Sequence, residues 1–600
     1  MFLNWISGQS PWFKRNENQL RSATNITIFA VSLVALVIAI WDTGFPQSVN
    51  AQHWLDSFYK IYFACNGLLY VSRSLLFFKE RHLSAVAITN LALGGILLFE
   101  FSLSLILGKP YILGRFLHLP PVYKSLTVLL FIFEFSRLDL FRFFALLNPP
   151  QIFIVSFGSI IITGALFLMM PQLTTKPLSF IDALFTATSA VCVTGHIVVD
   201  TATRFTMSGK TIILVLIQLG GIGIMTFTSF FAVFFKGTQS FREKQILQEW
   251  LNDPNLSSIK QTLKKIILFM ILVEALGIVL IFLSMNPEMF DRGQRFRFAV
   301  FHSVSSFCNA GFSTLTDGLY DIRVRSNISL LYIMSILIIV GGLGFPVVLN
   351  IYMYIKAKIR NINEKLIKRH HYVTSFGLIN INTRIVLLTS LFLLITGAAA
   401  FFLLENKNTL AGMSVGEKVA TSFFSSVSPR TAGYNAVNMS LISVPTIMMI
   451  IVLMWIGASP VSTGGGIKTT TFAMAFLNLF KIIKGKDRID IFQRELETGA
   501  VNRAFAIMFF SFIILGAGSF IMYLFEPGQS MLKIVFECFS AYGTVGLSLG
   551  ITPTLTSVSK MILILLMFFG RMGTITLLMV FVSHQRSHPY RFPSDTIVIT

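Results

Sequence analysis

Charge is scarce in this sequence. Only 12% of its 600 residues are Asp, Glu, Lys or Arg, about half the charged share of an ordinary soluble domain. With 54% hydrophobic residues and a mean hydropathy of +0.73, a water-soluble fold is excluded. Acidic residues are fewer still, 27 against 48 basic, for a formal charge of +21. The basic residues lie in short loops between apolar runs rather than on one polar domain, which argues against a nucleic-acid partner. Cysteine is nearly absent. Cys65, Cys192, Cys308 and Cys538 have no metal-ligand spacing, so neither a disulfide framework nor a zinc site is implied. The apolar stretch that begins near Ile26 lacks a small-residue cleavage site and reads as a first helix, not a signal peptide.

What the chain does have is apolar runs of about 20 residues, the length that crosses roughly 30 Å of hydrocarbon as a helix. Four spans are expected near 24 to 42, 56 to 74, 84 to 108 and 124 to 141, followed by paired spans flanking shorter apolar segments. Alternate loops are basic: Arg73, Lys79 and Arg81; Arg137 and Arg142; Lys236, Arg242 and Lys244; Lys356 to Arg369; Lys481 to Arg488; Arg586 to Arg591. Placing them all inside gives an even number of crossings with both termini cytoplasmic, Arg292 to Arg297 being the exception.

An internal repeat organises the rest. FTATSAVCVTGH (185 to 196), FHSVSSFCNAGF (301 to 312), FFSSVSPRTAGY (423 to 434) and FECFSAYGTVGL (536 to 547) align without gaps. Each has a phenylalanine ten residues before a glycine: Phe185 and Gly195, Phe301 and Gly311, Phe423 and Gly433, Phe536 and Gly546. Phenylalanine is 60 of 600 residues, so four matches at one offset are not coincidence. A serine stands six before the glycine in three copies, and Val427 breaks the pattern. The glycines are 116, 122 and 113 residues apart, room for a descending helix, a basic loop and an ascending helix. Further glycines follow in each second helix: Gly220, Gly221 and Gly223; Gly341, Gly342 and Gly344; Gly457 and Gly464 to Gly466; Gly570 and Gly573.

The expected fold is an all-α integral membrane protein: four tandem helix, pore loop, helix units around one central pore, plus about four extra N-terminal transmembrane helices. The divisions are residues 1 to 148 for the N-terminal region, then 149 to 240, 241 to 370, 371 to 498 and 499 to 600 for the four units. Non-helical backbone is tolerated at membrane depth only when buried in protein or lining a water-filled cavity. A dehydrating cation needs about eight oxygens, which stacked rings of four carbonyls supply. Glycine turns its carbonyl inward at little steric cost. The expected filter is Val193, Thr194, Gly195; Asn309, Ala310, Gly311; Thr431, Ala432, Gly433; and Thr544, Val545, Gly546. None is charged, which favours a monovalent ion over a divalent one. The alternative is that these glycines only let helices pack closely.

From Phe153 to Gln585 the chain resembles the Trk/Ktr/HKT superfamily of potassium transport subunits, most of all its bacterial Trk and Ktr members. The resemblance rests on SAVCVTG (189 to 195), CNAGF (308 to 312), SPRTAGYN (428 to 435), STGGGIKTT (462 to 470) and GRMG (570 to 573). It implies potassium uptake, and Gly195 matches the potassium-selective form, since a serine there accompanies sodium permeability. It also implies a homodimer with one pore per chain and a separate cytoplasmic ring of nucleotide-binding regulatory domains. No covalent cofactor is expected; potassium is the transported ion, with sodium as a possible coupling or activating ion. The first 145 or so residues have no role that the resemblance supplies.

Residues 457 to 471 interrupt the second helix of the third unit, because Gly, Ser and Pro at that density do not hold a helix. The resemblance makes 457 to 467 an intramembrane gate involving Gly457, Ser459, Pro460, Ser462, Thr463, Gly464, Gly465, Gly466 and Lys468, with Arg571 contacting that loop and obstructing the pore. A charge within an apolar run must be paired or face water, so Arg571 is otherwise a packed structural arginine. GGGIKTT is not a phosphate-binding loop, since Ile467 separates glycine from lysine. Glu274, Glu134 and Asp139 are intramembrane acids that fit either a relay or pairing with a basic neighbour. His196 is expected at the outer mouth and His302 packed in a pore helix. Two rivals remain: a sodium- or proton-coupled potassium symporter, and a polytopic membrane enzyme, which lacks a recognisable pair of catalytic groups.

Overall fold

A computed structural model describes residues 11–77, 89–96, 98, 120–135, 149–222, 259–366, 379–496 and 498–573. The basic clusters at Lys79, Arg81, Arg137, Arg142, Lys236, Arg242, Lys244 and Arg586 to Arg591, most of the span expected at 84 to 108, Asp139 and Gly223 lie outside the described residues. The backbone contacts divide the chain into two compact units.

The smaller unit, Met1–Phe143 with two short additions, is built on α1 (Pro11–Gly44), α2 (Val49–Phe77) and α3 (Pro120–Phe135). Ile28, Ala35, Tyr62, Tyr70 and Leu130 form its core. Arg73 is not in a loop, as the basic-loop pattern had it. It lies inside α2, 4% exposed, with Nη1 donating to Glu134 Oε2 of α3 at 2.8 Å. A buried carboxylate is tolerated when so paired, and Glu134 follows the pairing alternative rather than a relay.

In the larger unit one order of elements recurs four times. A longer helix is followed by a helix of 12 to 16 residues, a loop and a further helix. The first quarter has α4 (Pro149–Leu168), α5 (Phe180–Val191) and α6 (Met207–Gly221); the second has α7 (Ile259–Ser284), α8 (Arg292–Phe307), α9 (Ile328–Leu343) and α10 (Phe345–Leu366). The third has α11 (Ile381–Glu405), α12 (Val415–Val427), α13 (Val444–Trp455) and α14 (Thr469–Ile483); the fourth has α15 (Thr498–Phe525), α16 (Met531–Tyr542) and α17 (Ser557–Met572). The two-residue strands Asp490–Ile491 and Arg494–Glu495 make a hairpin between α14 and α15.

Lys264–Ser284, Ile381–Glu405 and Gly499–Phe525 are long and apolar enough to cross a membrane, and only 22 to 39% of their spanning windows is buried by protein. Leu272, Leu276 and Leu283 project outward from α7. Apolar surface on that scale needs lipid against it, so the chain is a multi-pass membrane protein.

The short helices α5, α8, α12 and α16 are roughly 18 to 24 Å long, too short to cross. Each starts at a side-chain cap: Ser179, Asp291, Ser414 and Ser530 accept from the amides of Asp182, Gln294, Glu417 and Lys533 respectively. A cap of this kind stabilises a helix start by about 1 kcal/mol, and its recurrence sets all four starts.

The second helices are broken in more than one quarter. Between α9 and α10 the axis turns by 101° at Gly344, whose φ is +81°. The interruption was expected in the third quarter alone; here Gly344 supplies the left-handed turn and Pro346 restarts a helix at its first turn. A Cβ on Gly344 would also stand 3.1 Å from the Val461 carbonyl oxygen. Gly344→Ala should therefore lower stability by about 1–3 kcal/mol, read as an earlier thermal unfolding midpoint of the detergent-solubilised protein. An unchanged midpoint would mean that the bend is not constrained.

Candidate functional site: four glycine loops and the segment beside them

Each short helix ends in a loop with the same backbone. In three quarters the amide before the glycine bonds back five residues: Thr194 N to Ser189 O at 2.8 Å, Ala310 N to Ser305 O at 2.7 Å and Val545 N to Ser540 O at 2.8 Å. The chain then takes positive φ twice, at alternate residues. The glycines have φ of +82°, +68°, +78° and +91° at Gly195, Gly311, Gly433 and Gly546. Two residues earlier, Val193, Asn309, Thr431 and Thr544 stand at +56°, +60°, +78° and +50°. For β-branched Val and Thr this region is a genuine outlier, held at about 1–3 kcal/mol per residue. Sequence reasoning placed positive φ at the glycines only; of the other positions Asn309 alone is of a type that favours this region, and no residue preference marks Val193, Thr431 or Thr544.

The four loops meet in cyclic order. A Cβ placed on Gly195 would lie 3.0 Å from the Cα of Gly311; one on Gly311, 3.2 Å from Gly433; one on Gly433, 3.3 Å from Gly546; and one on Gly546, 2.9 Å from Gly195. The same hypothetical atoms press on the carbonyl oxygens of Ala310, Ala432, Val545 and Thr194, so no side chain fits at any of the four. All twelve residues Val193–Gly195, Asn309–Gly311, Thr431–Gly433 and Thr544–Gly546 are thus gathered at one place. Asn309 and Thr431 also touch through their side chains, at 3.1 Å.

The third quarter is slipped by one residue. Phe424 is fully buried where the gapless alignment nominated Phe423, which is half-buried. Ser428, not Val427, occupies the serine place: its Oγ donates to Tyr434 O, as Ser305 Oγ donates to Phe312 O. The helix and its loop trade one residue, so the glycine keeps its position and the broken serine pattern is explained.

Against this cluster lies the non-helical segment between α13 and α14. Ile456 and Ile467 form a parallel bridge, and Gly457 N donates to Ile467 O at 2.8 Å. Ser459 N donates to Gly342 O at 3.0 Å, its Oγ accepts from Thr469 Oγ1 at 3.3 Å, and the Pro460 carbonyl faces Gly344. Ser462 Oγ bonds Ser459 O at 2.6 Å, and Thr463 Oγ1 donates to Phe307 O at 3.3 Å. Gly464 packs on Thr431, Gly465 N donates to Thr544 Oγ1 at 2.9 Å, and Gly466 N to Gly570 O at 3.2 Å. Lys468 precedes α14 and returns its Nζ to Gly464 O at 2.7 Å. Arg571, 4% exposed, donates to Thr463 O and to Gly220 O. Through these bonds the segment touches or is tied to all four quarters.

Other polar residues fall differently from expectation. His196 does not line a mouth: it is fully buried, with Nε2 at 2.6 Å from Glu537 Oε2 of α16. His302 is packed as expected, stacked on Phe298 and bonded to Phe298 O and Ser313 Oγ at 3.0 Å each. Among the described residues Glu274 has no basic partner; both carboxylate oxygens accept from Gln218 Nε2 at 3.1 Å. Beside the glycines opens a cavity of about 350 Å³ lined by all four of them, with Asp200, Asp317 and Asn435. In the neighbouring loop the Arg323 guanidinium forks onto Asp321 and holds its carboxyl below the ordinary range. None of the twelve residues of the glycine loops carries a charged side chain, and the cavity beside them is lined by both Asp200 and Asp317.

Residues 127–590 match the family described as TrkH, cation transport protein. The Ktr system potassium uptake protein B of Bacillus subtilis is 36% identical over 75% of this chain and 96% of its own length. The potassium/sodium uptake protein NtpJ of Enterococcus hirae is 34% identical over 76% of this chain and 97% of its own. The crystal structure of the potassium transporter TrkH from Vibrio parahaemolyticus shares the fold, with a TM-score of 0.57, 17% identity, and coverage of 88% of this chain and 98% of that one. With four glycine loops in one backbone form and a family match over most of its length, the chain belongs to the TrkH family of cation transport proteins.

Proposed function

We propose that the four loops surround one ion path and form a carbonyl filter through which potassium enters the cell, with the segment 457–467 as its gate. The observation that carries this reading is the repeated strain: four non-glycine residues at positive φ, each two before a positive-φ glycine, with the glycines in cyclic contact. Alternating handedness along a backbone turns successive carbonyls to one side, whereas an extended strand alternates them. Stacked in four, such carbonyls replace a monovalent ion's water. Strain of this kind persists where surroundings over-determine it, at functional sites.

Entry is driven by voltage, since 100 mV contributes about 2.3 kcal/mol per charge, roughly fifty-fold accumulation. Lys468 and Arg571 hold the gate segment by bonds to its carbonyls, and both place positive charge beside the cation's route. Opening requires those bonds to yield. We place the protein in the cytoplasmic membrane with both termini inside, as a homodimer. The Ktr-system names of its relatives favour a separate regulatory partner, a cytoplasmic ring of nucleotide-binding domains.

Radioactive rubidium should accumulate in potassium-loaded vesicles that contain the purified chain, and sodium in the medium should make no difference. No uptake above protein-free vesicles would sink the reading. Uptake that requires sodium would favour the symport alternative, for which the potassium/sodium name of the Enterococcus hirae relative is the specific support.

A further inference from the structure

Glu537 stands nine residues before Gly546, and His302 nine before Gly311. Both brace the serine two residues beyond their own glycine: His302 Nε2 lies 3.0 Å from Ser313 Oγ, and Ser548 Oγ donates to Glu537 Oε1 at 2.7 Å. Glu537 then does something His302 does not. It leaves its own quarter and meets His196, the residue directly after Gly195, at 2.6 Å.

The carboxylate also accepts from Leu549 N at 3.0 Å and Thr552 Oγ1 at 2.8 Å. Three donors already converge on it, so the group acts as an acceptor and His196 Nε2 donates. Both side chains are fully buried. A buried carboxylate is expensive to keep unless every lone pair is used, and this one is used fully at the seam between the first and fourth quarters.

That seam differs from the others. Successive quarters follow one another along the chain, but the first and fourth are the outermost of the four, and no connecting segment joins them directly. Between the second and third quarters Tyr434 OH donates to Phe312 O at 3.2 Å. Between the first and second quarters Gln218 Nε2 donates to Glu274 at 3.1 Å, and between the third and fourth Gly465 N donates to Thr544 Oγ1 at 2.9 Å; apolar residues also line both seams, Phe312 with Val193 and Ala310 in one, and Val545 and Leu547 with Met454 in the other.

We infer that His196 and Glu537 are positioning residues for ion discrimination: their bond fixes the carboxyl end of the first glycine loop against the fourth and so sets the spacing of the carbonyls at that seam. The inference rests on the filter reading above. Neither side chain touches the ion; each acts through the backbone of Gly195. Supporting partners of ligating groups commonly change function about 10- to 100-fold when removed.

The test is the potassium-to-sodium permeability ratio of the full chain in vesicles. His196→Ala and Glu537→Ala should each lower it about tenfold, and the double variant should lose no more than either, because the pair acts as one unit. Glu537→Gln, which keeps the volume and part of the bonding, should fall between wild type and alanine. Asp182→Asn is the control: Asp182 Oδ1 meets Lys560 Nζ at 2.7 Å, a second tie between the first and fourth quarters placed away from the glycines, and its loss should leave the ratio unchanged. Alanine variants with the wild-type ratio overturn the proposal, as does an Asp182→Asn variant that loses as much as they do. Should the alanine variants not fold, Glu537→Gln decides: a wild-type ratio overturns the proposal, and a reduced one beside an unchanged Asp182→Asn supports it. Gly195→Ser in the same vesicles separates the two claims. If it alters the ratio while the pair variants do not, only the pair is wrong; if none alters it, the filter reading falls.

Discussion

Gly195→Ser should collapse the preference for potassium over sodium. At φ +82° a residue with a side chain is strained by about 1–2 kcal/mol, and its Cβ has no room beside the Ala310 carbonyl and the Gly311 Cα. Relief comes only by moving backbone in two adjacent loops, which removes or displaces carbonyls of the proposed ring. Because discrimination is a difference between two ions' fits, each 1.4 kcal/mol lost unequally is a factor of about ten. The expected fall in the potassium-to-sodium ratio is therefore about tenfold, with sodium flux rising while rubidium flux persists. An unchanged ratio in reconstituted vesicles would remove Gly195 from the filter. The cyclic contacts make the same outcome expected at Gly311, Gly433 and Gly546.

The second large effect concerns the proposed gate. Arg571 donates two bonds to backbone carbonyls, Thr463 O in the proposed gate segment and Gly220 O in the first quarter. A hydrogen bond from a charged donor contributes roughly 1.5–3 kcal/mol. Losing that much from the closed state shifts the closed-to-open balance about ten- to a hundredfold, so Arg571→Ala should raise rubidium uptake by a factor in that range without altering ion preference. Deleting Gly464 to Gly466 should act in the same direction, because those residues carry the contacts with Thr431, Thr544 and Gly570. Equal or lower uptake by a well-folded variant would instead make Arg571 a packing residue.

The two expectations differ in how they arose. The glycines were legible because a fourfold repeat is visible as identity at a constant offset, and the interruption at 457 to 471 because Gly, Pro and Ser disfavour helix locally. The bend at Gly344 was equally local, written in Gly341, Gly342, Gly344 and Pro346, but it lacked the serines that accompany glycine and proline over the longer stretch in the third quarter. The slip that puts Phe424 and Ser428 in place of Phe423 and Val427 was hidden, since a helix that gives one residue to its loop leaves the glycine count unchanged. Positive φ at Val193, Thr431 and Thr544 ran against what β-branched residues prefer. Only neighbouring loops could impose it.

Local chemistry decided where helices begin, which are long enough to cross lipid, and where the backbone must leave the helix. Caps, hydropathy and glycine act over a few residues, and the chain spells them out in order. Packing decided everything that joins distant positions: the meeting of His196 with Glu537, 341 residues away, the reach of Arg571 to Gly220 across 351 residues, and the contact of Gly546 with Gly195 that closes the cycle. No composition encodes such pairs, because each partner alone is an ordinary polar or small residue, and its role exists only once four separate quarters have been folded against one another.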